Sequence, residues 1–123
     1  MSDLSFREKE KLEKIYEMSS GFVMSFSNRT FKEFILESVG KNIYDSKYEV
    51  NGDSKANRLR TFWQLEPNSV VGKLIKDLLD YALKINSNLD KALFEKCKQV
   101  ANRLLQETSS EIDLNSEYLE SKF

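Results

Sequence analysis

One proline, Pro67, and four glycines punctuate 123 residues. Between them, apolar side chains recur at three- and four-residue steps. That spacing places them on one face of a helix with 3.6 residues per turn. Ser5 followed by Glu8 reads as a capping box, ahead of a first stripe of Leu12, Ile15, Tyr16 and Ser19 that stops at Gly21. Phe22-Val23-Met24 then forms a brief extended segment or a tight connection. Thr30 and Glu33 make a second capping box, and the stripe Phe31, Phe34, Ile35, Val39 closes on Gly40 as the expected left-handed stop. Asp53 or Ser54 caps a third helix carrying Leu59, Phe62 and Trp63, ending before Pro67. Asn68 or Ser69 opens the fourth, whose arc of Val70, Val71, Leu74, Ile75, Leu78, Leu79, Ala82 and Ile85 is wide enough for a central helix. After the polar turn Asn86-Ser87-Asn88, Leu89, Leu93, Cys97, Val100, Ala101, Leu104 and Leu105 complete a fifth.

The expected fold is therefore all-α: a compact bundle of about five helices, with an irregular loop around residues 41–53 and an acidic C-terminal tail. Ile43, Tyr44, Tyr48 and Val50 alternate only loosely in that loop, and Asn51-Gly52-Asp53 is a turn signal. A single helical turn or a short strand pair fits, and a loop without a real sheet is preferred. Residues 1–107 form one domain, and 108–123 an acidic tail, linker or partner-docking segment. The phrase Ala-Asn-Arg-Leu at 56–59 and 101–104 is a coincidence rather than a repeat, since nothing around it is similar.

Composition narrows the function classes. Charged residues make up 32% of the chain, yet the net charge is −1, which lacks the basic excess of a general nucleic-acid binder. No apolar run reaches the length of a membrane span, and the polar N-terminus has no signal-peptide pattern. With Cys97 alone, an internal disulfide is excluded, and a cytoplasmic location is expected. The chain has no histidine. That removes Ser-His-Asp and Cys-His machinery and every His-containing zinc site. Asp77 and Asp80 are i, i+3 neighbours, but further ligands at metal-binding spacing are missing. No catalytic residue, metal site or cofactor is assigned, and the chain is read as a non-enzyme.

Candidate recognition residues concentrate between Phe26 and Trp63. Asn28 and Arg29 stand at a helix start, where free amides and the dipole favour an anion; the plainer reading is that Ser27 or Asn28 caps the helix while Arg29 pairs with a carboxylate. Lys55 and Arg58 occupy adjoining helical positions, whereas Arg60 lies about 160° from Arg58. A solvated, salt-bridged face therefore competes with a phosphate- or partner-binding patch. Tyr44 and Tyr48 lie between, as stacking surfaces, interface anchors or lids on the core. The candidate partner- or anion-binding set is Asn28, Arg29, Tyr44, Tyr48, Lys55, Arg58 and Arg60. Phe31, Phe62, Trp63 and Cys97 fall on apolar stripes and are read as core.

The order Phe-Ser-Asn-Arg-Thr-Phe at 26–31, a Glu-x-x-Gly helix end, Ile-Tyr-Asp-Ser-Lys-Tyr at 43–48, Ser-Lys-Ala-Asn-Arg-Leu-Arg-Thr-Phe-Trp at 54–63 and Glu-Pro-Asn-Ser-Val-Val-Gly-Lys-Leu at 66–74 resembles the N-terminal domain of AbiJ-type abortive infection proteins. The likeness spans roughly residues 6 to 85. It implies a small, mainly helical domain of bacterial anti-phage proteins that precedes an effector, often a HEPN ribonuclease, and senses or regulates rather than cuts. This sequence departs from the pattern in that no effector follows and no histidine is available for a HEPN site. The expectation is a stand-alone relative acting through a separate partner, or an excised domain. The expected function is a non-catalytic sensor or adaptor that binds a partner protein or effector. Nucleic-acid or nucleotide binding through the basic-aromatic surface is the alternative, and a homo-oligomer is compatible with the wide arc of the fourth helix.

Overall fold

The computed structural model describes residues 2–116, with side chains through 106. Five α-helices follow in order: α1 Phe6–Ile15, α2 Asn28–Val39, α3 Lys55–Leu65, α4 Asn68–Ile85 and α5 Lys91–Ser116, with a 3₁₀ turn at Ser46–Glu49 between α2 and α3. No strand occurs among the described residues, so the loop reading of residues 41–53 holds, with one helical turn inside it. The chain is all-α, and no described helix is long and apolar enough to cross a membrane.

The capping box at Ser5 and Glu8 starts α1 as the spacing predicts. Its end differs. The helix stops at Ile15 rather than at Gly21, because Glu17 turns the chain with φ 54° and sends Met18 into the core. Ser19, expected on the apolar stripe, is exposed. The connection back is held by Met24 N–H donating to Tyr16 O at 2.8 Å. Tyr16 itself is fully buried and donates its hydroxyl to Ile75 O at 2.9 Å, tying this corner to α4.

Helix α2 begins earlier than the Thr30–Glu33 box implies. Ser27 is the cap and Thr30 the third helical residue: Ser27 Oγ accepts from Thr30 N at 3.1 Å, and Thr30 Oγ1 accepts from Ser27 N at 2.9 Å. Glu33 thus falls in the second turn, facing Arg29. Gly40 ends the helix with φ 71°, as anticipated. Phe26 stacks on Tyr81 of α4 at 4.8 Å and meets Phe31 and Phe34 of α2 at 5.7 and 5.3 Å. Such offset and tilted ring pairs add to plain area burial.

Helix α4 is the centre, burying Val71, Gly72, Leu74, Ile75, Leu78, Leu79 and Ala82; Ile85, counted in its arc, is half-exposed. Each fully buried aliphatic of this kind is worth about 1.5–3 kcal/mol against exposure. Its main partner is α5, which buries Cys97, Val100, Ala101 and Leu104. Leu89 precedes α5 rather than belonging to it, since Asp90 Oδ1 accepts from Leu93 N at 3.1 Å and sets the start. The backbone of α5 continues past the expected boundary at residue 107 to Ser116, and the rest of the acidic tail lies outside the described residues. Arg103 on α5 grips Glu8 of α1 at 2.8 Å and Asp3 at 3.0 Å.

The close approach of α4 and α5 depends on Gly72. A Cβ there would stand 3.0 Å from Leu105 Cγ, 3.1 Å from Leu104 Cβ and 3.3 Å from Ala101 O. Gly72→Leu should therefore destabilise by about 1–3 kcal/mol through overpacking, despite leucine's better helix propensity. A urea unfolding midpoint equal to or above that of the wild type would contradict this.

Candidate recognition surface

Residues 41–54 have little secondary structure, so their polar backbone must find partners elsewhere. Short-range turns supply some. Asn42 Oδ1 accepts from Tyr44 N at 3.0 Å and Asp45 Oδ1 from Lys47 N at 3.1 Å, the latter capping the 3₁₀ turn. Arg58 supplies donors to three of the segment's carbonyls. It projects from α3 beneath the loop, with its residue only 6% exposed. Nη1 donates to Ile43 O at 3.0 Å and to Asp45 O at 3.4 Å, Nε to Asp53 O at 3.2 Å, and Nη2 to Glu49 at 3.0 Å. The planar fork of arginine suits several carbonyls at once in a way lysine cannot match. The solvated face expected for this residue is thus corrected: the loop's carbonyls draw Arg58 inside.

The Arg58 guanidinium also lies 4.6 Å from the centre of the Tyr44 ring, a cation–π contact strengthened by burial. Burial pushes the Tyr44 hydroxyl above its usual pKa, opposed by the Arg58 charge. That hydroxyl donates to Asn28 Oδ1 at 2.7 Å. Lys55 Nζ reaches the same oxygen at 3.4 Å and sits 4.9 Å from the centre of the Phe22 ring. Four of the seven candidates, Arg58, Tyr44, Asn28 and Lys55, thus form one connected series ending at the outer surface. Phe22, which sequence reasoning treated only as part of a short apolar run, is 55% exposed and completes it.

The other three go elsewhere. Arg29 is exposed and paired with Glu33 at 3.2 Å, as the plainer reading held. Arg60 turns toward α1 and forks onto Glu13 at 3.1 and 3.3 Å, confirming that it cannot share a patch with Arg58. Tyr48 is buried against Phe62 and donates to Glu66 Oε2 at 2.5 Å, so it acts as a lid on the core rather than as an anchor for a partner.

Glu66 had no sequence signal beyond its place before Pro67. Its carboxylate is nearly buried, yet three donors converge on it: the Tyr48 hydroxyl, Lys41 Nζ at 3.6 Å and Lys47 Nζ at 3.7 Å. Burial alone would raise its pKa, but the Tyr48 hydrogen bond and the two lysines together hold it below the ordinary value. Burial, the largest cause, together with the Glu66 hydrogen bond and the Glu66 and Asp45 charges, pushes the Tyr48 hydroxyl well above the phenol range. Chemically, the arrangement is a static clamp.

Asp77 accepts from Ser38 Oγ at 2.5 Å and Lys73 Nζ at 2.7 Å. Among the described residues no three potential metal ligands gather. Cys97 is buried, and burial pushes its thiol up to about 11, against the charge of Lys11. Comparison with family models, curated proteins and solved structures finds no match to this chain.

Arg58→Ala should cost about 2–3 kcal/mol, because buried carbonyls lose their donor; Arg58→Lys should recover less than half, and amide exchange should accelerate at residues 42–53. Equal stability of Arg58→Lys and wild type would refute this. The lowered pKa values of Glu66, Asp3 and Glu8 stabilise the fold fully above the unfolded carboxylate range. That contribution is lost as pH falls through the depressed folded values, so urea midpoints should drop steeply below about pH 4.5. Glu66→Gln should lower stability at pH 7 and flatten part of that acid limb.

Proposed function

We propose that this chain is a non-catalytic recognition module of a bacterial abortive-infection system, and that it binds a partner protein through the surface formed by Phe22, Asn28, Tyr44 and Lys55. The observation that carries the reading is the convergence of these four side chains on one another, backed by the buried Arg58. An aromatic with a flanking cation, held by a hydrogen-bonded tyrosine, offers area and polarity at little entropic cost on binding. The ordered motif string that resembles AbiJ-type N-terminal domains supports the biological setting, and the same motifs supply Asn28, Tyr44 and Lys55.

Phosphate recognition is the less favoured use of this surface. Arg58 and Arg60 are occupied by carbonyls and Glu13, and Arg29 by Glu33, which leaves Lys55 as its main cation.

The test is co-purification with the products of neighbouring genes, with phage plaque counts as a second readout. Phe22→Ala combined with Lys55→Glu should weaken partner capture about tenfold or more, with thermal stability kept because both residues lie at the surface. Unchanged capture and unchanged protection would reject this surface. Tight, salt-sensitive binding of single-stranded RNA that the double variant abolishes would favour nucleic acid instead.

A further inference from the structure

A second surface, built from other residues, carries an independent inference. Between α1 and the first turns of α5 runs a groove of about 380 Å³, lined by Arg7, Lys11 and Lys14 from α1 and by Lys96, Ala92 and Leu93 from α5. Glu10 and Asp90 also border it, and Asp90 is engaged in capping α5. Among the described residues none of the four cations makes a side-chain hydrogen bond or ion pair. The arginines elsewhere in the fold, Arg29, Arg58, Arg60 and Arg103, are by contrast all paired with carboxylates.

We propose that the groove receives the acidic C-terminal segment of a second copy of this chain, so that two copies exchange tails. Charge complementarity is the first argument. Residues 107–123 contain five carboxylates and one lysine, a net charge of −4; with −1 for the whole chain, residues 1–106 carry +3. The second argument is spacing. Arg7, Lys11 and Lys14 stand at i, i+4, i+7 on α1, and Asp113, Glu117 and Glu120 stand at the same intervals in the tail. The two sets thus repeat at the same intervals with opposite sign, three carboxylates to three cations. Leu114 and Tyr118 supply apolar side chains for Ala92 and Leu93.

Geometry decides between the chain's own tail and that of a copy. Helix α5 runs unbroken from Lys91 to Ser116. At 1.5 Å per residue, Ser116 stands about 30 Å along the axis from Lys96. Glu117 and Glu120 follow within about 14 Å of extended chain. The groove at the start of α5 is thus out of reach for its own tail and open to a neighbour's. Because every chain has both groove and tail, reciprocal exchange closes a two-fold pair. A nucleic acid would use the same cations, but no lining residue is aromatic, so bases find no stacking platform.

Sedimentation of the full chain tests this with two charge reversals, Lys11→Glu/Lys14→Glu in the groove and Glu117→Lys/Glu120→Lys in the tail. Wild type should dimerise at about 100 µM in low salt and dissociate as salt screens the pairs. Each reversal should raise the dimer Kd about tenfold or more. An equimolar mixture of the two variants should regain wild-type association, because groove and tail charges then match across the pair. Carbodiimide cross-links between groove lysines and tail carboxylates should join isotopically distinct copies. The inference is overturned if wild type stays monomeric in low salt, if neither reversal shifts association, or if the mixture does not recover. A groove reversal that abolishes RNA binding while leaving association intact overturns it equally. Should the groove variant fail to fold by circular dichroism, the tail variant and the cross-links decide.

Discussion

Between the end of α2 and the start of α3 the chain crosses the molecule with only one turn of 3₁₀ helix, and Arg58 is what gives that crossing a fixed shape. A desolvated guanidinium is costly on its own. Here the cost is offset because carbonyls of Ile43, Asp45 and Asp53, the Glu49 carboxylate and the Tyr44 ring each take part of the charge. The relation is mutual: the Ile43 and Asp53 carbonyls would lose their arginine donor, and the arginine would lack acceptors without the loop. Tyr44 is positioned by that exchange, Asn28 by Tyr44, and the outer face of α2 and α3 inherits its order from them.

Glu66 plays the complementary part at the other end of α3. A buried carboxylate there is held by a phenol and two lysines, and it fixes Tyr48 over the core beside Phe62. One buried cation and one nearly buried anion, both on or beside the same helix, thus secure the loop from below. The hydrophobic bundle of α4 and α5 is a separate achievement of packing, centred on Gly72 and governed by volume rather than charge.

Much of the bundle was legible because helical periodicity is a local signal. Leu74, Ile75, Leu78 and Leu79 declare α4, and Gly40 declares the end of α2, without any knowledge of their neighbours. Helix ends were read less well. Ser27 and Thr30 cap each other, a pairing that the usual Ser/Thr-to-Glu pattern hides, and the early stop of α1 rests on Glu17 adopting a left-handed conformation that nothing in its side chain advertises. The site was half legible. Residue types pointed to Asn28, Tyr44 and Lys55, but burial of Arg58 follows from which carbonyls happen to lie above it. The pairing of Arg103 with Glu8 joins positions 95 apart, and no local pattern encodes it. Both arginines come from the phrase Ala-Asn-Arg-Leu, whose alanine and leucine face the core in each copy; similar local geometry recruits each arginine to a lateral tie.

That distant pairing also bears on how the protein comes into being. Asp3 and Glu8 are synthesised 100 and 95 residues ahead of Arg103, which pairs with both. Ser2 meanwhile donates to the backbone oxygen of Trp63. The partner of Asp3 and Glu8 on α5 thus exists only after α2, α3 and α4 have been made. Pairs so far apart in sequence lengthen the mean contact separation of the fold, which slows the search for it.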